Sequence, residues 1–257
     1  MIRTTLIDEF FTIAQAEFFP NEKWQVNSAL LKGREYCVVW DTFSYPKNMM
    51  DFSHHLEKKA AMAIYSHADW DHCWGTCGYP FEHVVAHTNT LDRFENELPS
   101  TLRKMRNEHA NGWKGVKLIA PDVTFDEKLT IDMGYYSLEL YQFRGHTPDS
   151  IVGFIPEWGL LLGGDAFEAV PVINDPADVP IWLHHLETWM KRSDVRSVLP
   201  GHGSLTDPGI MELNYEYLQG LSEKKMMPIT ADSKFYQQVH MDNLKKMGVV
   251  LGKQSKS

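Results

Sequence analysis

Side chains that can bind metal occur in four short clusters, and each cluster follows an apolar run typical of a β-strand. The clusters begin at His67, His146, Asp165 and His202, and three of the preceding runs read AMAIYS, LLLGG and VLPG. If these strands share a direction, their carboxyl ends bring the clusters to one edge of a sheet, where α/β proteins usually form their sites. This arrangement constrains the fold more than any other feature of the chain.

Hydrophobic periodicity in the rest of the sequence alternates between short strands and amphipathic helices. The predicted elements are a hairpin of residues 29–31 and 36–40, a helix over 46–59, strands over 61–65 and 84–86, a charged helix over 91–109, a strand from 138 towards 143, a hairpin of 151–155 and 159–162, a helix around 182–190, a strand over 195–199 and closing helices from 211. Strands mixed with helices in both halves predict a layered α/β domain.

The length and composition are those of an ordinary globular chain. With 257 residues, of which 43% are hydrophobic and 23% charged, the chain can bury a sizeable core without a disulfide or a structural metal. We therefore predict a single domain over residues 1–257, with a helical extension from about residue 221. A cluster of metal-binding residues in such a chain therefore indicates a functional metal rather than one needed for folding.

The charge and the cysteine content limit the expected partners and location. The formal net charge is −9 and no long run of Lys or Arg occurs, which argues against nucleic acid but not against a small anionic substrate. Three cysteines are too few for a disulfide framework, and no apolar stretch is long enough to span a membrane. We expect a cytoplasmic protein with a small-molecule substrate and no membrane partner, and the sequence leaves a homodimer open.

The stretch HADWDH places four metal-capable side chains at positions 67, 69, 71 and 72. Neutral imidazole and ionised carboxylate are suitable ligands for zinc, iron or manganese, and a bound cation relieves the repulsion between neighbouring carboxylates. Alternate residues of an extended segment point the same way, so we predict that His67, Asp69 and Asp71 address one ion. His72 then faces a second ion.

The other three clusters each offer one side chain on a tight turn. Gly145 and Pro148 flank a loop that presents His146, and PGHG presents His202 between glycines. Asp165 follows paired glycines, and its two carboxylate oxygens allow it to bridge two cations. Capping of a helix N-terminus is an alternative role for Asp165, because Asp is a favoured capping residue.

The segments HADWDH, GHTPDS, GGDA and PGHG, in that order, resemble the motif series of the metallo-β-lactamase superfamily. The resemblance runs from about Asn27 to slightly beyond His202, and it implies a four-layer αββα sandwich with metals in a groove at one edge of the two sheets. It implies a supporting role for Asp41 near the loops. The implied ligands are His67, Asp69 and His146 for the first ion, Asp71, His72 and His202 for the second, and Asp165 as the bridge.

The chain departs from the family pattern His-x-His-x-Asp-His at one position, where Asp69 replaces the second His. Aspartate is shorter than histidine and anionic, so the first site becomes harder and more negative, which favours manganese or iron relative to zinc. We expect two divalent metal ions, with zinc as the first choice and iron or manganese as alternatives.

The resemblance implies a metal-dependent hydrolase that uses a metal-activated hydroxide on a small ester, lactone or thioester. Asp71 is the candidate catalytic residue, because it can hold the attacking water and accept its proton. One alternative is a diiron oxidoreductase-like protein that needs a separate electron donor, since diiron members of the superfamily carry a carboxylate at the position of Asp69. The other alternative is a non-catalytic module that binds a ligand through a metal.

Overall fold

The computed structural model describes residues 2–19, 24–57, 59–108, 113–231 and 233–249. Its strands are β1 (Ile2–Leu6), β2 (Phe11–Phe19), β3 (Trp24–Lys32), β4 (Tyr36–Trp40), β5 (Ala60–Ile64), β6 (His83–His87), β7 (Val123–Phe125), β8 (Lys128–Asp132), β9 (Ser137–Gln142), β10 (Ile151–Ile155), β11 (Leu160–Gly164) and β12 (Ser197–Pro200). Its α-helices are α1 (Pro46–Phe52), α2 (Trp70–Cys73), α3 (Thr88–Asn96), α4 (Leu98–Glu108), α5 (Val179–Met190), α6 (Gly209–Ser222) and α7 (Lys234–Lys246).

The strands form two sheets whose strand directions bring the motif loops together. A seven-stranded sheet has the order β1-β2-β3-β4-β5-β6-β7, and a five-stranded sheet has the order β12-β11-β10-β9-β8. In the first sheet, β5 is parallel to β4 and β6. In the second sheet, β9 and β11 both run antiparallel to β10, and β12 is parallel to β11, so β9, β11 and β12 share a direction. The N–H of Ile151 donates to the carbonyl of Ser66 at 2.8 Å, which joins the two sheets at the edge where the motif loops lie.

The two sheets face each other across an apolar core. Leu31 and Val38 of the first sheet are buried in the same cluster as Leu140 and Leu162 of the second. Strand β9 alternates buried leucines with partly exposed polar residues, whereas β10 and β11 are buried along their whole length. Burial on both faces indicates that the outer face of the second sheet is also covered.

Helices cover the outer faces of both sheets. Residues of β5 and β6 pack with Phe94 of α3 and Leu102 of α4, while Met49 and Phe52 of α1 pack over β3 and β4. On the second sheet, Trp182 of α5 shares a buried cluster with residues of α6 and α7. The order of layers is helix, sheet, sheet, helix, so the predicted αββα sandwich is confirmed.

Several predicted elements differ from the observed ones. The helix over 46–59 ends as α1 at Phe52 and continues as a 3₁₀ turn, which stops at Glu57 in the left-handed conformation. The charged helix over 91–109 is two helices, α3 and α4, which separate at Glu97, and His109 lies outside the described residues. Strands β1, β2, β7 and β8 were not predicted. No helix in the described ranges is both long and apolar enough to cross a membrane.

Candidate metal centre

The motif HADWDH occupies a turn and the start of a helix, and this local structure divides its side chains between two sites. Asp69 is extended, with φ −69° and ψ 147°, and α2 begins at the next residue. Asp71 therefore lies on a helical turn rather than in an extended segment. Its Oδ2 is 3.5 Å from Nε2 of His202 and 3.8 Å from Nε2 of His72, so the prediction that His67, Asp69 and Asp71 share one site is wrong.

His67, Asp69 and His146 form the first half-site. Oδ2 of Asp69 is 3.5 Å from Nε2 of His67 and 3.2 Å from Nε2 of His146. One ligand atom from each of these residues lies within 4.8 Å of the others, which is the spacing of a group that can hold a metal ion. The two histidines are buried, while Asp69 is partly exposed.

Asp71, His72 and His202 form the second half-site. These three residues also offer ligand atoms within 4.8 Å of one another, and all of them are buried. The grouping of the two half-sites is the one that the family resemblance implies. That these residues bind metal stays a prediction.

Asp165 lies between the half-sites and presents one oxygen to each. Its Oδ2 is 3.8 Å from Nε2 of His67 and 3.6 Å from Nε2 of His146, whereas its Oδ1 is 3.2 Å from Nε2 of His72 and 3.4 Å from Nε2 of His202. No helix within the described ranges begins beside Asp165, so the alternative role as a helix cap is not adopted.

Two glycines make this position of Asp165 available. Gly164 has φ +49°, and a Cβ atom there would lie 2.6 Å from the Ser66 side chain. A Cβ atom on Gly201 would lie 2.1 Å from Oδ1 of Asp165. Glycine is therefore required at both motif turns, because any side chain would displace the carboxylate or the loop beside it.

All four histidines are anchored through Nδ1 and present Nε2 to the centre. The anchoring contacts are His67 to Ser66 Oγ at 2.9 Å, His72 to Asp41 Oδ2 at 2.8 Å, His146 to the Val172 carbonyl at 3.0 Å and His202 to the Gln25 carbonyl at 2.8 Å. An acceptor at Nδ1 fixes the tautomer and the orientation of the ring, which leaves the lone pair of Nε2 for a metal.

Asp41 connects the anchors of two of these histidines. It accepts hydrogen bonds from the backbone N–H of Ser66 at 2.7 Å and from the Ser66 hydroxyl at 2.8 Å, in addition to the bond from His72. Because the Ser66 hydroxyl donates to Asp41, its oxygen is free to accept from Nδ1 of His67. Ser66 was not predicted, since a serine that precedes the motif carries no signal of its own.

Buried polar atoms at the centre fit a divalent cation. Nε2 of His67, Nε2 of His72 and Oδ1 of Asp165 are buried without a hydrogen-bond partner. The last two lie 3.2 Å apart, yet they are not aligned for a hydrogen bond. Buried polar groups normally have partners, so lone pairs that converge in this way indicate a site for a cation.

The electrostatics of the cluster also favour positive charge. Burial lowers the pKa of a histidine, but nearby carboxylates outweigh it. Asp69 and Asp165 raise the pKa of His146 to about 9. Asp165 and Glu168 contribute most to raising the pKa of His202 to about 10. Burial raises the pKa of the Asp165 carboxyl, but His72 and His202 hold it well below its usual range. The carboxylates thus retain protons on nearby imidazoles, and a metal ion can replace those protons.

The structure adds Glu168 to the acidic groups of the centre. Its Oε1 is 4.0 Å from Nε2 of His202, and its ligand atom groups with those of Asp165 and His202 within 4.8 Å. Burial, followed by the charge of Asp165, raises the pKa of Glu168 to about 7. The segment DAFE gives no indication of this placement, because a lone glutamate after an apolar pair is usually a solvated residue.

The structure also adds Arg93, which lies on α3 beside the first half-site. Its Nη2 donates to Oδ1 of Asp69 at 2.6 Å, and its Nη1 donates to Oδ1 of Asp149 at 2.9 Å. Glu97 forms a third ion pair with Arg93 at 2.9 Å. In the sequence, Arg93 belongs to the predicted charged helix over 91–109, to which no functional role was assigned.

A cavity of about 580 Å³ opens next to the first half-site. Its lining includes Asp69 and Arg93 on one side, the indole of Trp70 and the amide of Asn174. This volume suits a small molecule, because ligand cavities commonly measure about 300 to 1,000 Å³. The cavity gives a ligand direct access to Asp69.

The layers and the donor set define an α/β protein with a buried histidine–aspartate centre at one edge of its two sheets. The sequence profile of the metallo-β-lactamase superfamily matches residues 21–210, which is most of the chain. The chain belongs to the metallo-β-lactamase superfamily, as the four motifs indicated.

Individual relatives are distant. The metallo-β-lactamase type 2 of Bacillus sp. (strain 170) is 33% identical over 76 residues, which are 28% of this chain and 30% of that protein, so the match spans less than a third of the relative. A metallo-β-lactamase from Pontibacter korlensis superposes with a TM-score of 0.65 at 20% identity, over 85% of this chain and 99% of the other. The mono-zinc form of the metallo-β-lactamase FIM-1 from Pseudomonas aeruginosa superposes with a TM-score of 0.61 at 17% identity, over 85% of this chain and 95% of the other. These structural likenesses show the fold.

Proposed function

We propose that this protein is a metal-dependent hydrolase of a small ester, lactone or thioester. The observation that carries the proposal is the pair of half-sites joined by Asp165 beside a cavity of about 580 Å³. Two adjacent cation positions with a shared carboxylate suit hydrolysis, because the attacking and the departing atoms both need stabilisation.

In this proposal the donor set would provide ligands for two divalent ions. His67, Asp69 and His146 would hold one ion, the second half-site would hold the other, and Asp165 would contact both. Ions so held supply a water of lowered pKa and a Lewis acid for the carbonyl oxygen. We propose zinc as the metal, with iron or manganese as alternatives because the carboxylate of Asp69 is a hard ligand.

The protein side chains orient the reactants and move the proton. Asp71 accepts a proton from the attacking water as the water oxygen bonds to the carbonyl carbon. The bond to the leaving group then breaks, and the leaving group takes up the proton from Asp71. The anchors at Nδ1 of the four histidines keep the donor set rigid, so the geometry does not have to form during the reaction.

The surroundings of the centre support a small substrate. The cavity walls combine the aromatic ring of Trp70 with polar groups, which suits a compact acyl compound. The net charge of −9 and the absence of basic runs in the sequence argue against a polynucleotide.

Chelation followed by metal return tests the proposal. The protein is stripped of metal, confirmed to be stripped by elemental analysis, and reloaded separately with zinc, manganese or ferrous iron. Each form is then assayed on a matched panel of an ester, a lactone and a thioester with the same acyl group. We expect hydrolysis to disappear on stripping and to return with at least one metal. Hydrolysis that is indifferent to complete stripping, or absent in every loaded form, contradicts the proposal.

A diiron redox protein is the second candidate, and the carboxylate of Asp69 at the position of a family histidine is the observation that favours it. The same reloaded samples distinguish the two. An iron form with visible absorption that bleaches on reduction, together with no hydrolysis in any form, favours the redox function.

A further inference from the structure

The two oxygens of Asp69 have different environments. Oδ2 faces the imidazoles of His67 and His146, whereas Oδ1 accepts a hydrogen bond from Nη2 of Arg93 at 2.6 Å. The short charge-assisted contact leaves one oxygen of the carboxylate directed at the first half-site. A carboxylate held in this way can act as a ligand through one oxygen only.

Arg93 is itself fixed by a second carboxylate. Its Nη1 donates to Asp149, which is fully buried and also accepts hydrogen bonds from the Ala68 N–H at 2.8 Å and the Thr90 hydroxyl at 3.0 Å. Ala68 lies between His67 and Asp69, so the same network holds the motif loop. Because a guanidinium is planar and always charged, it can bridge two carboxylates in a fixed geometry that an ammonium cannot reproduce.

The contact also offsets part of the charge that Asp69 adds to the site. Replacement of a neutral histidine by aspartate adds one negative charge, and Arg93 shares its single positive charge among Asp69, Asp149 and Glu97. We propose that Arg93 is a positioning residue of the first half-site: it holds Asp69 as a one-oxygen ligand and offsets part of its negative charge. Asp69 and Arg93 together then take the place of the single histidine in the family pattern. This inference rests on the metal centre of the proposed function but not on hydrolysis.

Zinc affinity measured by competition with a chromophoric chelator tests the role of Arg93. In Arg93→Gln, the loss of a neighbouring positive charge favours a bound cation, but Asp69 also loses the contact that orients it. We expect the loss of orientation to have the larger effect, so that the affinity of the first half-site falls by about tenfold or more, as for other residues that orient a ligand. The second half-site should stay within about twofold of its original affinity, because it lacks this contact. Arg192→Gln is the matched control, since Arg192 pairs with Asp194 away from the centre and its loss should leave both affinities unchanged.

A double-mutant cycle separates an effect through Asp69 from a general loss of structure. In the Asp69→His background, Arg93→Gln should change the affinity of the first half-site by no more than about twofold, because the metal-facing carboxylate that Arg93 orients is gone, although Asp149 and Glu97 remain. An equal loss in both backgrounds overturns the proposal, and so does no loss in either. If Arg93→Gln does not fold, the effect of Arg93→Lys on the affinity of the first half-site is compared in the two backgrounds instead. Lysine keeps the positive charge but cannot donate to two carboxylates in the planar geometry of a guanidinium.

Failure of this inference is distinguishable from failure of the proposed function. If the unaltered protein takes up none of zinc, manganese and ferrous iron, the metal centre and the role of Arg93 are both wrong. If it takes up zinc and Arg93→Gln binds as tightly, only the role of Arg93 is wrong. If the coupling is present but no substrate is hydrolysed, the role of Arg93 stands and the hydrolase function is wrong.

Discussion

The two half-sites resemble each other in ligand type but differ in how their negative charge is balanced. Asp69 of the first half-site has a side chain that is 25% exposed, borders a cavity and pairs with Arg93. Asp71 of the second is 7% exposed and forms its ion pairs with His72 and His202, and the nearby Glu168 is 2% exposed. Among the described residues, no Lys or Arg pairs with Asp71, Asp165 or Glu168.

This difference determines which half-site needs a cation more. Burial of a carboxylate is costly unless a cation accompanies it, and in the second half-site only protonated imidazoles supply that positive charge, so a metal ion has most to replace there. In the first half-site Arg93 already supplies a positive charge, and solvent reaches Asp69. We therefore expect the second half-site to bind the first equivalent of metal, and the first half-site to bind the second equivalent more weakly.

Asp165→Asn should have the largest effect, because it abolishes the charge that the two half-sites share. Each carboxylate oxygen faces one pair of imidazoles, so the affinity of both equivalents should fall by more than about 100-fold, beyond the loss that outer residues cause. Elemental analysis after gel filtration measures the retained metal. Asp178→Asn is the control, since Asp178 is also buried but pairs with Arg144. Two tightly held equivalents in Asp165→Asn would mean that this residue does not bridge.

A pair of alanine variants tests the order of filling. His202→Ala removes a ligand of the second half-site and should weaken the tighter equivalent by about 100-fold. His146→Ala removes a ligand of the first half-site and should weaken only the weaker equivalent, while the tighter one stays within about twofold. Calorimetric titration with zinc resolves the two equivalents. If His146→Ala instead weakens the tighter equivalent and His202→Ala the weaker one, Arg93 does not make the first half-site the weaker of the two.

The sequence predicted which loops converge because that information is local. Each motif follows an apolar run, and parallel strands place their carboxyl ends at one edge whatever the details of packing. The separation of Asp71 from Asp69 was not predictable from the local pattern in the same way, and only the family resemblance implied it. It depends on a helix that begins at Trp70, and the residues of HADWDH fit a short helix as well as an extended segment.

The residues that adjust the charge of the centre were missed because their partners are distant in the sequence. Arg93 meets Asp149 across 56 positions, and Glu168 meets His202, which lies on a different motif turn. Such pairs exist only after the sheets have packed. Strand β1 was missed for a different reason: it is mostly exposed, and alternation of polar and apolar residues is weak in a strand without a buried face.

Asp41→Asn should have an intermediate effect that is greater on the second half-site. Asp41 accepts directly from Nδ1 of His72 but reaches His67 only through Ser66, so the tighter equivalent should lose about tenfold and the weaker one less. Competition with a chelator measures both affinities. Asp122→Asn is a matched control, because Asp122 forms an aspartate–histidine pair with His83 at an exposed position. Equal losses at both half-sites would indicate that Ser66 transmits the whole effect.

Glu168→Gln should have the smallest effect, confined to the second half-site. Glutamine keeps the shape of the side chain but removes its charge, and Nε2 of His202 is 4.0 Å from Oε1 of Glu168. A charge at this distance that does not contact the metal should change the affinity of the tighter equivalent by only several-fold, about the effect of a partly buried charge pair. Glu187→Gln, on the exposed side of α5 and bonded to Tyr215, serves as the control. A loss as large as that in His202→Ala would make Glu168 a direct ligand, and the second half-site would then contain one more carboxylate than the family pattern provides.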